Sequence, residues 1–107
     1  MDTNIIDRLN KRIDAVFSGY MEAYWEGEEF AKQFENVLDF KFVITSDMQY
    51  RGVVITESLG GPTIYTNTDA GEFQAYWGSD AAVCRSIPWM LLDAIDEYYS
   101  ELYESMK

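Results

Sequence analysis

The chain has 107 residues, a mass of 12.4 kDa and a net charge of −11, from Lys+Arg 8 against Asp+Glu 19. That length suits a single domain, spanning 1–107, which buries roughly 65% of its unfolded surface. Hydrophobic residues make up 48% and aromatics 16%, far more than a disordered acidic tail carries. There is no histidine and only one cysteine, Cys84. These absences exclude a disulfide framework, a thiolate zinc site and the commonest general base, so no catalysis, metal or cofactor is expected.

The first segment has helical period, with Ile6, Leu9, Ile13, Val16, Phe17, Tyr20, Met21 and Tyr24 at three- and four-residue steps. Asn4 is the expected N-cap, Asp7 and Lys11 form an i,i+4 pair, and Gly27 is the expected stop. A second helical piece over 28–38 puts Phe30, Phe34 and Val37 or Leu38 on one face. Helix is thus expected over 4–26 and 28–38, as a pair or one kinked rod.

The period then changes to two. Phe40, Phe42 and Ile44 share a face, Ser46–Gln49 is a polar turn, and Tyr50–Ser58 is rich in β-branched residues. Leu59-Gly60-Gly61-Pro62 breaks the pattern. Thr63–Thr68 and Glu72–Trp77 then flank the turn at Asp69-Ala70-Gly71. The expected sheet is a four-stranded antiparallel meander.

The chain closes with a helix, Ser86 as N-cap and Pro88 in the first turn. Leu92, Ile95, Tyr99, Leu102 and Met106 form its apolar stripe, with Leu91 and Tyr98 at the margin. The expected fold class is α+β: an N-terminal helix or helix pair, the meander, and a C-terminal helix packed on the sheet.

This last helix carries the clearest functional signal. Asp93, Glu97, Glu101 and Glu104 are spaced four, four and three, with Asp96 at the margin, and Lys107 is the only basic residue after Ile87. Like charges at i,i+4 oppose helix formation by about 0.2–0.5 kcal/mol per pair, and acids near a helix C-terminus oppose its dipole. Carboxylates four residues apart lie about 6 Å apart along the axis. A DNA strand presents a phosphate every ~3.4 Å, and a basic nucleic-acid groove expects such a row of negative charge. The row is either a contact surface, with Tyr98 and Tyr103 adding area, or a solvated face. A second acidic cluster, Glu22, Glu26, Glu28 and Glu29, surrounds Trp25 and Gly27.

Other motifs read as structure. Gly60-Gly61-Pro62 lacks phosphate-loop spacing, and Asn67–Glu72 lacks the glycine and distal glutamate of a calcium loop. Cys84 beside Arg85 has no histidine as a base, which excludes a papain-like pair. Trp25, Trp77 and Trp89 read as core or sheet-face residues, with an exposed aromatic anchor in a protein interface as the alternative. No apolar run exceeds four residues and the N-terminus is acidic, so neither a membrane span nor a leader is expected. With one thiol, the expected compartment is the cytoplasm. The charge repels nucleic acid and membrane surfaces and favours a basic protein surface.

Tyr50-Arg51-Gly52-Val53 through Gly60-Gly61-Pro62, then Gly71-Glu72 and Tyr76-Trp77-Gly78, resemble a segment of small proteins from bacterial mobile elements. Size, acidity and the lack of catalytic residues also resemble phage- or plasmid-encoded anti-CRISPR and antirestriction proteins. That resemblance implies a non-enzymatic inhibitor, monomer or homodimer, that blocks a nucleic-acid-handling effector. The alternative is an immunity protein, antitoxin or adaptor binding through an aromatic sheet face.

Overall fold

A computed structural model of the chain describes residues 2–27 and 30–107. Helix α1 runs Asp2–Glu26 and a 3-10 helix runs Phe30–Asn36. Five strands follow, β1 (Asp39–Ile44), β2 (Tyr50–Ser58), β3 (Thr63–Asn67), β4 (Glu72–Trp77) and β5 (Asp80–Cys84), and α2 (Trp89–Met106) closes the chain. The strands pair antiparallel in chain order, leaving β1 and β5 at the edges. Helix α1 covers β4 and β5 while α2 covers β2.

Helix α1 buries Leu9, Ile13, Tyr20 and Ala23, as its periodicity requires. It stops because Gly27 adopts φ +74° while its N–H bonds the Ala23 carbonyl at 3.0 Å. Asn4 lies inside the helix instead of capping it, and the second helical piece tightens to a 3-10 helix that buries Phe34.

Alternation along the strands builds the core. Phe40 and Phe42 of β1, Val53 and Ile55 of β2, Ile64 and Thr66 of β3, Phe73 and Ala75 of β4 and Ala82 of β5 share the inner face through the observed register. Leu9, Ile13, Tyr20, Leu91, Ile95 and Tyr99 close over that face in one cluster. The expected count of four strands is corrected to five. Gly78-Ser79, with Gly78 at φ +59°, makes a two-residue turn between the paired Trp77 and Asp80 and sends the chain back as β5.

Helix α2 begins after Pro88, whose carbonyl accepts from Leu91 N at 3.0 Å and Leu92 N at 3.2 Å. No side chain caps it, so Ser86 is corrected as N-cap. Its buried residues are Leu91, Ile95, Tyr99 and Tyr103, whereas Met106 is 65% exposed. Ile95 and Tyr99 of the expected stripe are thus buried and Leu92 and Leu102 half-buried, while Leu91 and Tyr103 join the buried set and Met106 is corrected to the surface.

The β3–β4 turn folds against β2. Thr68 N bonds the Val53 carbonyl at 3.0 Å, Val53 N bonds Thr68 Oγ1 at 2.9 Å, and Arg51 pairs with Asp69 at 2.8 Å. Gly52 makes this approach possible, because a Cβ there would lie 2.8 Å from the backbone nitrogen of Asp69. Gly52→Ala should therefore lower stability by about 1–3 kcal/mol, read from urea midpoints, because the obstruction is backbone that cannot rotate away.

Candidate functional site

The acidic row of α2 is solvent-facing: Asp93, Glu97, Glu101 and Glu104 are all exposed. At 100° per residue the row is centred about opposite the buried stripe. Glu104 is 3.5 Å from Lys107, the one ion pair that α2 acids make among the described residues. Asp96 and Tyr98 flank the stripe on opposite sides.

Two residues of the expected surface are corrected to structural roles. Asp96 Oδ1 accepts from Tyr50 at 2.6 Å and from Thr68 at 2.7 Å, which keys α2 to β2 and to the β3–β4 turn. Burial, followed by the hydrogen bond and charge of Asp96, pushes the Tyr50 hydroxyl well above its ordinary range. Tyr103 is 9% exposed, packs on Phe42 with centroids 5.1 Å apart, and donates to the Met48 carbonyl at 2.7 Å. Its ring serves the core and the β1–β2 turn, with Lys107 Nζ 5.2 Å from the ring centre.

Tyr98 remains at the surface, 37% exposed, stacked on Phe34 at 4.4 Å. It borders an open groove of about 360 Å³ between α2 and the end of α1. Glu97 and Glu101 line one side, and Tyr24 and Phe30 line the other. The end of α1 and the middle of α2 thus meet at one groove. Glu22 and Glu26 are exposed on the last turns of α1, next to Trp25, which is 72% exposed and edge-on to Tyr24 at 5.5 Å. Glu28 and Glu29 lie outside the described residues. Carboxylates facing aromatic rings suit a Lys or Arg side chain, whose head meets the carboxylates while its stem lies on the rings. Sequence reading missed Tyr24 and Phe30 as groove residues, because both also fit the apolar pattern of a core face.

None of the three tryptophans is a core residue. Trp25, Trp77 and Trp89 are 72%, 49% and 73% exposed. Cys84 is half-buried in β5 opposite Phe73, and the neighbouring Arg85 is engaged with Glu72 at 2.9 Å. No group of three or more His, Cys, Asp or Glu among the described residues is placed to hold a metal ion, and no described helix is long and apolar enough to cross a membrane.

One carboxylate sits beneath α1. Glu57 Oε2 accepts from Tyr20 at 2.6 Å and from Thr66 at 2.7 Å. Burial raises its pKa above the ordinary 4.5, against the downward pull of those two hydrogen bonds. This pair fastens α1 to β2 and β3 much as Asp96 fastens α2. Comparison with protein-family models, curated proteins and solved structures gives no match.

Because the folded pKa of Glu57 is raised, the protonated carboxyl favours the fold. Its contribution is complete below the unfolded value and is lost as pH rises through the folded one. Glu57→Gln keeps an acceptor for Tyr20 and Thr66 without the buried charge. It should be more stable than the parent at about pH 8, with the advantage shrinking toward about pH 4. Glu57→Ala should lose about 1–3 kcal/mol throughout, because the Tyr20 hydroxyl is left without its partner. Urea unfolding across this pH range checks both.

Proposed function

We propose that the chain is a non-enzymatic, cytoplasmic inhibitor that occupies a basic nucleic-acid-binding surface on an effector such as a CRISPR nuclease or a restriction enzyme. The observation that carries this reading is the row Asp93–Glu97–Glu101–Glu104, exposed opposite the buried stripe and continuous with the groove at Tyr98. Nothing in the packing of α2 requires four acids there. A helix that only needed solubility would gain a few tenths of a kcal/mol per pair by mixing signs. Spaced about 6 Å along the axis, the carboxylates offer a cationic groove charge of the sign and linear order that it meets on a phosphate strand. Long-range attraction from a charge of −11 would speed the encounter, and Trp25 beside the groove supplies an aromatic anchor.

A second reading rests on the uncovered face of the sheet. Tyr65 and Tyr76 pair there at 6.0 Å, and Val83 is 40% exposed. An immunity protein, antitoxin or adaptor binding through that face would show little salt dependence.

Competition separates the two. Purified CRISPR effectors and restriction enzymes are loaded with fluorescent duplex DNA and titrated with the chain, with anisotropy as readout. The wild type should displace DNA from its target, more weakly as salt rises. The variant with Asp93, Glu97, Glu101 and Glu104 all changed to Lys should lose at least about a hundredfold in competing strength. Equal displacement by that variant would move the contact away from α2.

A further inference from the structure

The basic residues of this acidic chain are not scattered evenly. Arg51, Arg85 and Lys107 each lie beside a carboxylate, at 2.8, 2.9 and 3.5 Å. Arg8, Lys11 and Arg12 make no ion pair among the described residues, so the expected Asp7–Lys11 pair is corrected. At i, i+3 and i+4 they occupy one turn of α1, where like charges repel one another. All three line a cavity of about 480 Å³ between the N-terminal half of α1 and the ends of β3 and β4.

The rest of that cavity is apolar and aromatic. Ile5 and Leu9 form its helix side, and Pro62 and Trp77 its sheet side. Trp77 has the inward parity of Phe73 and Ala75, yet it stands at the end of β4 and keeps 49% of its surface exposed. Gly61 gives it room, since a Cβ there would sit 3.0 Å from Trp77 Cζ3. The indole therefore lies against the loop as one wall of an open slot. None of these residues belongs to the acidic face. The slot borders residues 5–12 of α1 and the acidic groove borders its far end, some 12 residues or about 18 Å on.

We propose that this slot is a binding site for a small organic oxyanion, a carboxylate or phosphate carried on a flat apolar body. Its volume falls in the range of small-molecule sites, roughly 300–1,000 Å³. The body would lie against Trp77 and Pro62, and the oxyanion would meet the guanidinium forks of Arg8 and Arg12, which match carboxylate and phosphate geometry. Charge selects the ligand: an anion relieves the repulsion within the Arg8–Lys11–Arg12 turn, and a neutral or cationic compound does not.

Calorimetric titration of the full chain with 2-naphthoate, 2-naphthyl phosphate and the neutral 2-naphthamide tests this. The Trp25→Phe/Trp89→Phe background leaves Trp77 as the sole fluorescent tryptophan. Both anions should bind once per chain, saturably, and change Trp77 emission. The amide should bind at least about tenfold more weakly, and Arg8→Gln/Arg12→Gln should weaken anion binding by at least about tenfold. Arg8 and Arg12 are exposed, so this variant should melt as the parent does, a point circular dichroism checks. Failure of either anion to saturate, or less than a tenfold loss for the amide or for the double variant, overturns the proposal.

Discussion

The rotation of α2 about its own axis decides what this molecule shows to its surroundings, and the carboxylate of Asp96 holds that rotation. With Tyr50 and Thr68 both donating to Asp96 Oδ1, one side of the helix is tied to β2 and the β3–β4 turn. Tyr98, stacked on Phe34, holds the other side against the 3-10 helix. Between these two contacts Leu91, Ile95, Tyr99 and Tyr103 face the sheet, so Asp93, Glu97, Glu101 and Glu104 must face away. A slip of one residue would turn the helix by about 100°, carrying carboxylates toward the core and losing both hydrogen bonds.

Helix α1 is held by the same device. Tyr20 reaches Glu57 on β2, and Glu57 also accepts from Thr66 on β3. Each helix is thus fastened to one face of the sheet by a tyrosine–carboxylate hydrogen bond set among packed aromatic rings. Apolar burial supplies most of the stability, but it is non-directional. These polar pairs add the direction, because a buried hydroxyl without its acceptor is costly to leave. Arg8, Lys11 and Arg12, without an ion pair among the described residues, border the early turns of α1, while carboxylates occupy its far end and the outer face of α2.

Much of this architecture was legible from residue patterns. The period of 3.6 in α1 and α2, the period of 2 from Phe40 onward, and Gly27 as a stop all reflect local rules that tertiary contacts did not override. The fifth strand was missed because Asp80–Cys84 is short and alanine-bearing. Its Gly78-Ser79 turn, between pairing residues, was the available signal. Spacing reads the α2 stripe with Ile95 and Tyr99 in place but with Tyr103 on the surface, because tyrosines suit both surface and core. Only its partners, the Met48 carbonyl and the Phe42 ring, decide that Tyr103 joins the core. Asp96 differs from Glu97 in nothing that spacing reveals. What separates them is a tyrosine 46 positions away. Sequence alone leaves the tryptophans between core and exposed anchor for the same reason: local pattern marks a residue as large and apolar, whereas the end of a strand or helix determines whether anything covers it.

The most direct test of the central claim, that the outward row of α2 is a contact surface, is affinity capture from bacterial lysate. The wild type is compared with the variant carrying Lys at positions 93, 97, 101 and 104, and bound proteins are eluted across a salt gradient and identified. The account predicts a nucleic-acid enzyme that elutes with salt from the wild type and is missing from the variant. A partner held equally by both, and indifferent to salt, would contradict it and leave the acidic row as a face turned to water.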